Sequence, residues 1–281
     1  FKPFIYSAAL GKGFTVASLI NDAPVVFDDP SLEATWRPEN YSGRFYGPTR
    51  MREALVNSRN LVSIRLLRSM GPDYGVEFAQ RFGFTREQLP RNLSLALGSA
   101  SVTPLQMATA YATLANGGYR VYPYFIQSME NALGEEIYRA TPAVVCEHCP
   151  ESVAGEGDGE SIPARLVVSP QNMWLINSMM RDVIQRGTGR RARSLGRKDL
   201  AGKTGTTNDQ RDAWFAGFNR GLVAVSWVGF DKHDPLGSGE TGGRAALPIW
   251  MEYMNVALEN VPEQTLEKPV GLVYVRIDPD T

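Results

Sequence analysis

Lys203-Thr204-Gly205-Thr206-Thr207, with the strand pattern that follows it, decides the fold prediction. Residues 213–218 read Ala-Trp-Phe-Ala-Gly-Phe, the next three read Asn-Arg-Gly, and 222–230 is rich in valine and aromatic residues. Two apolar runs separated by an Asn/Gly-containing turn predict paired antiparallel strands. The lysine, the glycine and the three hydroxyls therefore stand at the start of, or just inside, a strand next to a buried sheet.

This set of residues suits the binding of a carboxylate. The Lys203 ammonium can hold the charge, while hydroxyls and free backbone N–H groups take the remaining oxygens. Gly205 lets a substrate backbone approach closely, because it has no side chain. Gly202-Lys203-Thr204 also resembles the end of a phosphate loop, but the upstream glycine, Gly196, stands one position too far away. The segment also leads into a hairpin and not a helix, which excludes that alternative.

Size and composition indicate an ordinary globular protein. The 281 residues are 43% hydrophobic and 21% charged, which is not the composition of a disordered chain. The formal net charge of −1 gives no argument for nucleic acid or an anionic membrane as a partner. No run of about 18 apolar residues predicts a membrane span. The chain opens on Phe1 inside a helical pattern, so we expect it to be part of a longer polypeptide.

The two cysteines, Cys146 and Cys149, occur as Cys-Glu-His-Cys in a Pro/Gly/Glu-rich stretch. A zinc site would be incomplete, because the other histidine, His233, is distant in sequence and there is no second cysteine pair. A redox Cys-x-x-Cys is expected at a helix N-terminus instead. We favour a local disulfide over two free thiols, within a mobile acidic loop near 141–164. No metal or other cofactor is expected.

Apolar periodicity organises the rest of the chain. It predicts helices over 1–10, from Thr49 to Leu67 with a polar interruption at 57–60, over Asp73–Phe82, from Thr103 to Gly117, from Ser169 to Gly187 and over Ala246–Leu258. Residues 20–50, rich in Pro, Asp, Asn and Gly, predict a long irregular crossing. Alternating patterns predict strands within 119–139 and in the tail Gly271–Ile277.

Helices gathered between an N-terminal segment and a C-terminal sheet predict an α+β fold, with an antiparallel sheet, flanking helices and a mostly helical lobe. A cleft between the lobes is where Lys2, Ser58, Asn60 and Lys203 can meet. Each has an ordinary explanation when taken alone. Lys2 fits a solvated helix lysine, Ser58 and Asn60 fit a helix interruption or cap, and Lys203 fits a strand-edge lysine.

Three short motifs in order give a resemblance to a known family, the penicillin-recognising serine acyl-enzymes. Ser58-Arg59-Asn60 matches its Ser-x-Asn motif and Lys203-Thr204-Gly205 its Lys-Thr-Gly motif, while Lys2 resembles the lysine of Ser-x-x-Lys. Further segments resemble the transpeptidase domain of class A penicillin-binding proteins: Trp36-Arg37-Pro38, 96–106, Asn116-Gly-Gly118, Arg186-Gly-Thr-Gly189 and Asp212-Ala-Trp-Phe-Ala-Gly217. The resemblance runs from Phe1 to about Glu259.

The resemblance implies a DD-transpeptidase that cross-links peptidoglycan stem peptides through a serine acyl-enzyme and is acylated and inhibited by β-lactams. It places the nucleophilic serine two residues before Phe1, so activity is expected of the parent protein only. Lys2 is then the expected base, Ser58 the proton relay and Asn60 the group that holds the lysine and the substrate. Lys203 is expected to bind the substrate carboxylate. The expected substrate-binding residues are Thr204, Gly205, Thr206 and Thr207, with the Thr206 N–H in the oxyanion hole.

The resemblance also implies a context. Residues 1–262 are the expected transpeptidase domain and 263–281 an incomplete C-terminal extension. A glycosyltransferase domain and a membrane anchor are expected upstream, at the periplasmic face of the bacterial inner membrane. The expected partners are D-Ala-D-Ala stem peptides and β-lactams, and no nucleic acid.

Two alternative functions stay open. A serine β-lactamase of class A would need a glutamate soon after Ser-x-Asn to activate water, and neither Glu77 nor Glu87 stands in a convincing match. A non-catalytic β-lactam sensor or scaffold would keep the fold without the transfer reaction.

Overall fold

The structure is a computed structural model that describes residues 1–26, 36–145 and 162–278. Its helices are α1 (Lys2–Gly11), α2 (Met51–Val56), α3 (Asn60–Met70), α4 (Pro72–Gln80), α5 (Pro104–Ala115), α6 (Pro170–Arg186) and α7 (Leu247–Ala257). Its strands are β1 (Leu19–Asp22), β2 (Gly47–Arg50), β3 (Tyr119–Arg120), β4 (Ser128–Glu130), β5 (Glu136–Arg139), β6 (Arg165–Leu166), β7 (Ala201–Thr206), β8 (Asp212–Phe218) and β9 (Val223–Gly229). Short 3₁₀-helices and one π-helical turn, Gly242–Ala246, lie between them.

The main sheet is an antiparallel meander in the order β7-β8-β9, which confirms the predicted hairpin. The side chain of Asn219 closes its turn by accepting from the N–H groups of Gly221 and Leu222, at 3.0 and 2.8 Å. The side chains of strand β8 alternate between the two faces of the sheet, and both faces are covered. Ala216 and Phe218 pack into the helical lobe, while Phe215 on the other face packs against the helix after the sheet.

Helix α1 lies at the centre of the helical lobe. All residues from Lys2 to Ala9 are buried, and the ring of Phe4 lies 4.8 to 5.7 Å from four other aromatic rings. Ser7 donates to the side chain of Asn172 at 2.7 Å, and the Asn172 amide donates back to the Ser7 carbonyl at 2.8 Å. Because these buried groups satisfy each other, α1 is held in one position against α6. The lysine in its first turn is therefore placed rigidly.

A local signal starts α5 where the sequence predicts the helix, at Thr103. Thr103 and Gln106 form a capping box at the start of α5, with bonds of 3.2 and 2.9 Å, and Pro104 occupies the first turn.

A charged network joins α2 to α6. The Arg186 guanidinium binds both carboxylate oxygens of Glu53, at 2.7 and 2.6 Å, and also contacts Asp182 at 3.0 Å. The end of α2 is thereby held against the end of α6.

The predicted tail strand at Gly271–Ile277 is wrong: residues 271–278 form no strand. The alternation of Val273, Val275 and Ile277 is real, but all three are exposed. A strand needs a neighbour that supplies hydrogen bonds, and nothing among the described residues pairs with this segment. Tyr274 instead packs its ring 6.2 Å from that of Trp174 on α6.

Two further predictions are wrong in part. Tyr122, Tyr124 and Ile126 lie outside any strand, although β4 and β5 form within the predicted range. The crossing at 20–50 is not wholly irregular, because its two ends pair as β1 and β2. The predicted disulfide between Cys146 and Cys149 lies outside the described residues.

Candidate active site

The amine of Lys2 is surrounded by oxygens from the turn between α2 and α3. Its Nζ lies 2.6 Å from Oδ1 of Asn60, 2.7 Å from the carbonyl oxygen of Ser58 and 3.1 Å from the Ser58 hydroxyl. The residue is 8% exposed. An ammonium can donate to all three oxygens. A neutral amine can instead donate to two of them and accept the Ser58 proton. Both protonation states therefore have partners in this site.

The polar interruption at 57–60 is a tight turn that presents the Ser58 side chain. Ser58 has a φ of +57°, a left-handed conformation that is unusual for a residue other than glycine. Its N–H donates to the Leu55 carbonyl at 3.1 Å, and the N–H of Arg59 donates to the Ala54 carbonyl at 2.8 Å. Such a conformation costs on the order of 1 kcal/mol and persists where the surrounding structure enforces it. Here it turns the Ser58 hydroxyl toward Lys2.

Asn60 is oriented by a loop that the sequence did not single out for the site. One Nδ2 hydrogen of Asn60 donates to the Glu39 carbonyl at 2.8 Å, so Oδ1 faces the lysine. The Asn60 N–H donates to Oδ1 of Asn40 at 2.8 Å. Asn40 is itself buried and donates to both carboxylate oxygens of Asp22, each at 2.9 Å. The only sequence signal for this support was Trp36-Arg37-Pro38, just before it.

Lys203 stands in the middle of β7, on the face that looks into the helical lobe. It pairs with Ala216 in the register of the sheet and is 4% exposed. Its Nζ donates to the carbonyl of Thr204 at 3.1 Å and to the Thr204 hydroxyl at 3.3 Å. The Thr204 side chain belongs to the opposite face of the strand. The long lysine side chain therefore reaches around the strand edge, where amine and hydroxyl come together.

The other predicted residues on β7 have different surroundings. The Thr206 hydroxyl accepts from the N–H of Gly242 at 3.0 Å in the π-helical turn, and Thr206 is exposed. Thr207 is used within the chain: its hydroxyl accepts from the N–H of Asp212 at 2.7 Å and closes the turn into β8. A Cβ at Gly205 would lie 3.0 Å from Cβ of Trp214. Close packing against Trp214 is therefore a second reason for a glycine at this position.

Burial changes the proton affinity of both lysines. The pKa of Lys203 is lowered to about 7 because burial disfavours its charged form. The pKa of Lys2 is lowered well below that of a free lysine, first by burial and then by the positive charge of Lys203. A buried amine with a lowered pKa can take a proton from a hydroxyl, while a second amine can hold an anion.

Thr188 also lies at this site, although the sequence marked it only as part of Arg186-Gly-Thr-Gly189. Its hydroxyl lies 2.8 Å from the Thr204 hydroxyl. Among the described residues there is no cluster of three or more His, Cys, Asp or Glu side chains arranged to hold a metal ion. In the same part of the chain, no helix is both long and apolar enough to cross a bilayer.

A basic lysine held by a serine and an asparagine, opposite a second lysine on a strand, is the arrangement expected of a penicillin-recognising serine acyl-enzyme. A family model described as "Penicillin binding protein transpeptidase domain" matches residues 1–235. This chain belongs to the penicillin-binding protein transpeptidase family.

Individual relatives agree with this assignment. The chain is 48% identical to penicillin-binding protein 1A of Pseudomonas aeruginosa, over all of this chain and 38% of the relative. It is 44% identical to penicillin-binding protein 1A of Vibrio cholerae, over all of this chain and 37% of that protein. The crystal structure of penicillin-binding protein 1A from Haemophilus influenzae superposes with a TM-score of 0.91 at 39% identity, covering 99% of this chain and 44% of that one. The chain thus spans less than half the length of these relatives.

Proposed function

We propose that this chain is the acyl-transfer unit of a DD-transpeptidase, which cross-links peptidoglycan stem peptides through a serine acyl-enzyme and is acylated by β-lactams. The observation that carries the proposal is the Lys2 amine, which is buried and within 3.1 Å of the Ser58 hydroxyl and Oδ1 of Asn60. The catalytic unit is residues 1–262, and 263–281 belong to an extension that follows it.

The nucleophile is a serine three residues before Lys2. This spacing is one helical turn, so the serine stands on the same side of the helix as Lys2. Neutral Lys2 takes the proton of this hydroxyl as its oxygen attacks the carbonyl carbon between the two D-alanines. The C–N bond to the departing D-alanine then breaks, and Ser58 passes its proton to that nitrogen while it receives the proton held by Lys2. Asn60 keeps the Lys2 amine in place, and its second Nδ2 hydrogen is available to the substrate's peptide carbonyl.

Strand β7 supplies the anion site. The Lys203 ammonium and the hydroxyls of Thr204 and Thr206 bind the free carboxylate of a D-Ala-D-Ala terminus or of a β-lactam. The Thr206 N–H, together with the N–H of the nucleophilic serine, stabilises the oxyanion, at on the order of 3 kcal/mol per donor. The amine of a neighbouring stem peptide then attacks the serine ester. This step forms the cross-link and returns the proton to the serine.

The family and the relatives' name, penicillin-binding protein 1A, support the location and partners that we propose. The parent protein carries an upstream glycosyltransferase domain and a membrane anchor, and this domain works at the periplasmic face of the inner membrane. Its ligands are stem peptides and β-lactams. The lactamase alternative finds no support in the structure, since Glu77 and Glu87 are both exposed on the surface.

Penicillin labelling and cross-linking by the full-length protein test the proposal. A fluorescent penicillin is expected to label the protein once per molecule, nitrocefin to be consumed without sustained turnover, and lipid-linked stem peptides to be cross-linked. Lys203→Ala should abolish labelling and cross-linking together. Sustained nitrocefin hydrolysis would identify a β-lactamase, and labelling without cross-linking would identify a sensor. Cross-linking that survives Lys203→Ala would refute the role of Lys203.

A further inference from the structure

The hydroxyls of Thr188 and Thr204 lie side by side across two separate segments of the chain. Their Oγ1 atoms are 2.8 Å apart, which is hydrogen-bonding distance for two hydroxyls. Thr204 lies on β7, whereas Thr188 lies two residues beyond the end of α6. Thr188 is exposed to solvent, so its hydroxyl does not serve to satisfy a buried group. The contact instead joins a surface segment to the anion site.

Each hydroxyl has one proton, and this decides what Thr204 can offer to a substrate. The Thr204 oxygen already accepts from Nζ of Lys203 at 3.3 Å. If Thr188 also donates to it, the oxygen has two donors and the Thr204 proton must point elsewhere. The remaining direction is away from both donors and available to a bound anion. If Thr204 donated to Thr188 instead, its proton would not be available for a hydrogen bond to the substrate carboxylate.

The segment that carries Thr188 is fixed on several sides. The Thr188 N–H donates to the Val56 carbonyl at 3.3 Å, and the N–H of Gly189 donates to the Val183 carbonyl at 3.0 Å. A Cβ at Gly187 would lie only 2.4 Å from the Val56 oxygen, so glycine permits this close approach. Val56 stands two residues before Ser58. Thr188 therefore lies between the turn that holds Lys2 and the strand that holds Lys203.

We propose that Thr188 is a positioning residue for the substrate carboxylate, acting by donating to Thr204 so that the Thr204 hydroxyl presents its proton to the anion. This inference rests on the proposed function, because it concerns the carboxylate of the same substrates. It predicts an effect on ligands that carry the free carboxylate and little effect on ligands in which the carboxylate is an ester.

Thr188→Val in the full-length protein tests this, because valine has nearly the same shape and no hydroxyl. The measurement is the second-order rate constant of acylation by benzylpenicillin and by its methyl ester. Thr188→Val is expected to slow acylation by the free acid about tenfold, the effect of one well-placed hydrogen bond, and to slow the ester by less than about threefold. Thr188→Ser, which keeps the hydroxyl, is expected to retain the wild-type preference for the acid.

Ser194→Ala is the matched control, since the Ser194 hydroxyl donates to the Arg191 carbonyl in the same segment. It should acylate as wild type does. Thr188→Ala removes the hydroxyl a second way and should repeat the valine result. Equal losses on acid and ester, wild-type rates for Thr188→Val, or a serine variant as slow as the valine variant would each overturn the inference. A wild-type protein that penicillin does not acylate would instead overturn the proposed function.

Discussion

The amine of Lys2 lies 2.6 Å from Oδ1 of Asn60, although the two residues are 58 positions apart in sequence. The Asn60 amide cannot simply rotate away, because its Nδ2 donates to the Glu39 carbonyl and its backbone N–H to Asn40. The Lys2 amine is thus held by the Asn60 side chain, which is fixed by its own hydrogen bonds. Local preferences of the chain alone cannot produce such an arrangement.

Asn60→Ala should slow penicillin acylation of the full-length protein by about 100-fold or more, the usual scale for removing one oriented group from an active site. The variant removes the oxygen that orients the Lys2 amine. The measurement is the rate of covalent labelling by a fluorescent penicillin. Asn57→Ala is the control, because the exposed Asn57 side chain in the same turn donates to the Glu53 carbonyl on the surface. Labelling of Asn60→Ala within threefold of wild type would contradict this role.

The acylation rate should depend on pH through both lysines. Lys2 must be neutral to act as a base, so the rate falls on the acid side as Lys2 gains its proton. Lys203 must be charged to hold the carboxylate, so the rate falls again as pH rises through its pKa of about 7. The pH dependence of the second-order rate constant reports the pKa values of these two groups in the free enzyme.

Lys203→Arg should move the alkaline limb to higher pH, because a guanidinium stays charged. The control is Lys12→Arg, a substitution at an exposed lysine. A profile from pH 5 to 10 for each variant checks this. An alkaline limb that does not move in Lys203→Arg would show that another group controls it.

Lys203→Met should make the domain more stable at neutral pH while abolishing acylation. The pKa of Lys203 is lowered from 10.5 to about 7 in the folded protein, so below pH 7 folding must bury a charge. Between about pH 7 and 10.5 the unfolded chain binds a proton that the folded chain does not, and the free energy of unfolding rises with pH. Thermal unfolding of the variant should show a higher Tm at pH 7 and a weaker rise above it. A lower Tm would show that the lysine's contacts outweigh its burial.

Gly187→Ala is expected to disturb the active site, although Gly187 is not one of its proposed catalytic or binding residues. A Cβ there would lie 2.4 Å from the Val56 carbonyl oxygen and 2.8 Å from Cγ1 of Val56. The ends of α2 and α6 must then separate, at a cost of roughly 2 kcal/mol in unfolding free energy. Urea unfolding measures this cost, and penicillin labelling should slow as the Ser58 turn moves. Gly221→Ala is the control, with its nearest atom, Oδ1 of Asn219, at 3.9 Å. An unchanged stability would mean that the turn adapts freely.

Patterns confined to neighbouring residues predicted their structures well. The hairpin after Lys203 formed as expected, because two apolar runs and an Asn/Gly turn are sufficient to pair adjacent strands. The helix predicted to start at Thr103 also formed, because the Thr103 side chain caps its first turn. The tail at 271–277 shows the limit of this reasoning: its alternation is as regular as that of a true strand, yet it has no partner among the described residues.

The order of the motifs, read from the sequence alone, was sufficient for the family, and the arrangement of predicted helices and strands was sufficient for the α+β class. The roles of the site residues stay predictions. Only the tertiary structure decided how those residues are supported: that Asn40 orients Asn60, that Thr207 closes a turn, and that Thr188 reaches Thr204. The physical reason is that a motif records which side chains the chemistry needs. A hydrogen bond between distant segments depends on how the whole core packs, and no short stretch of sequence contains that information.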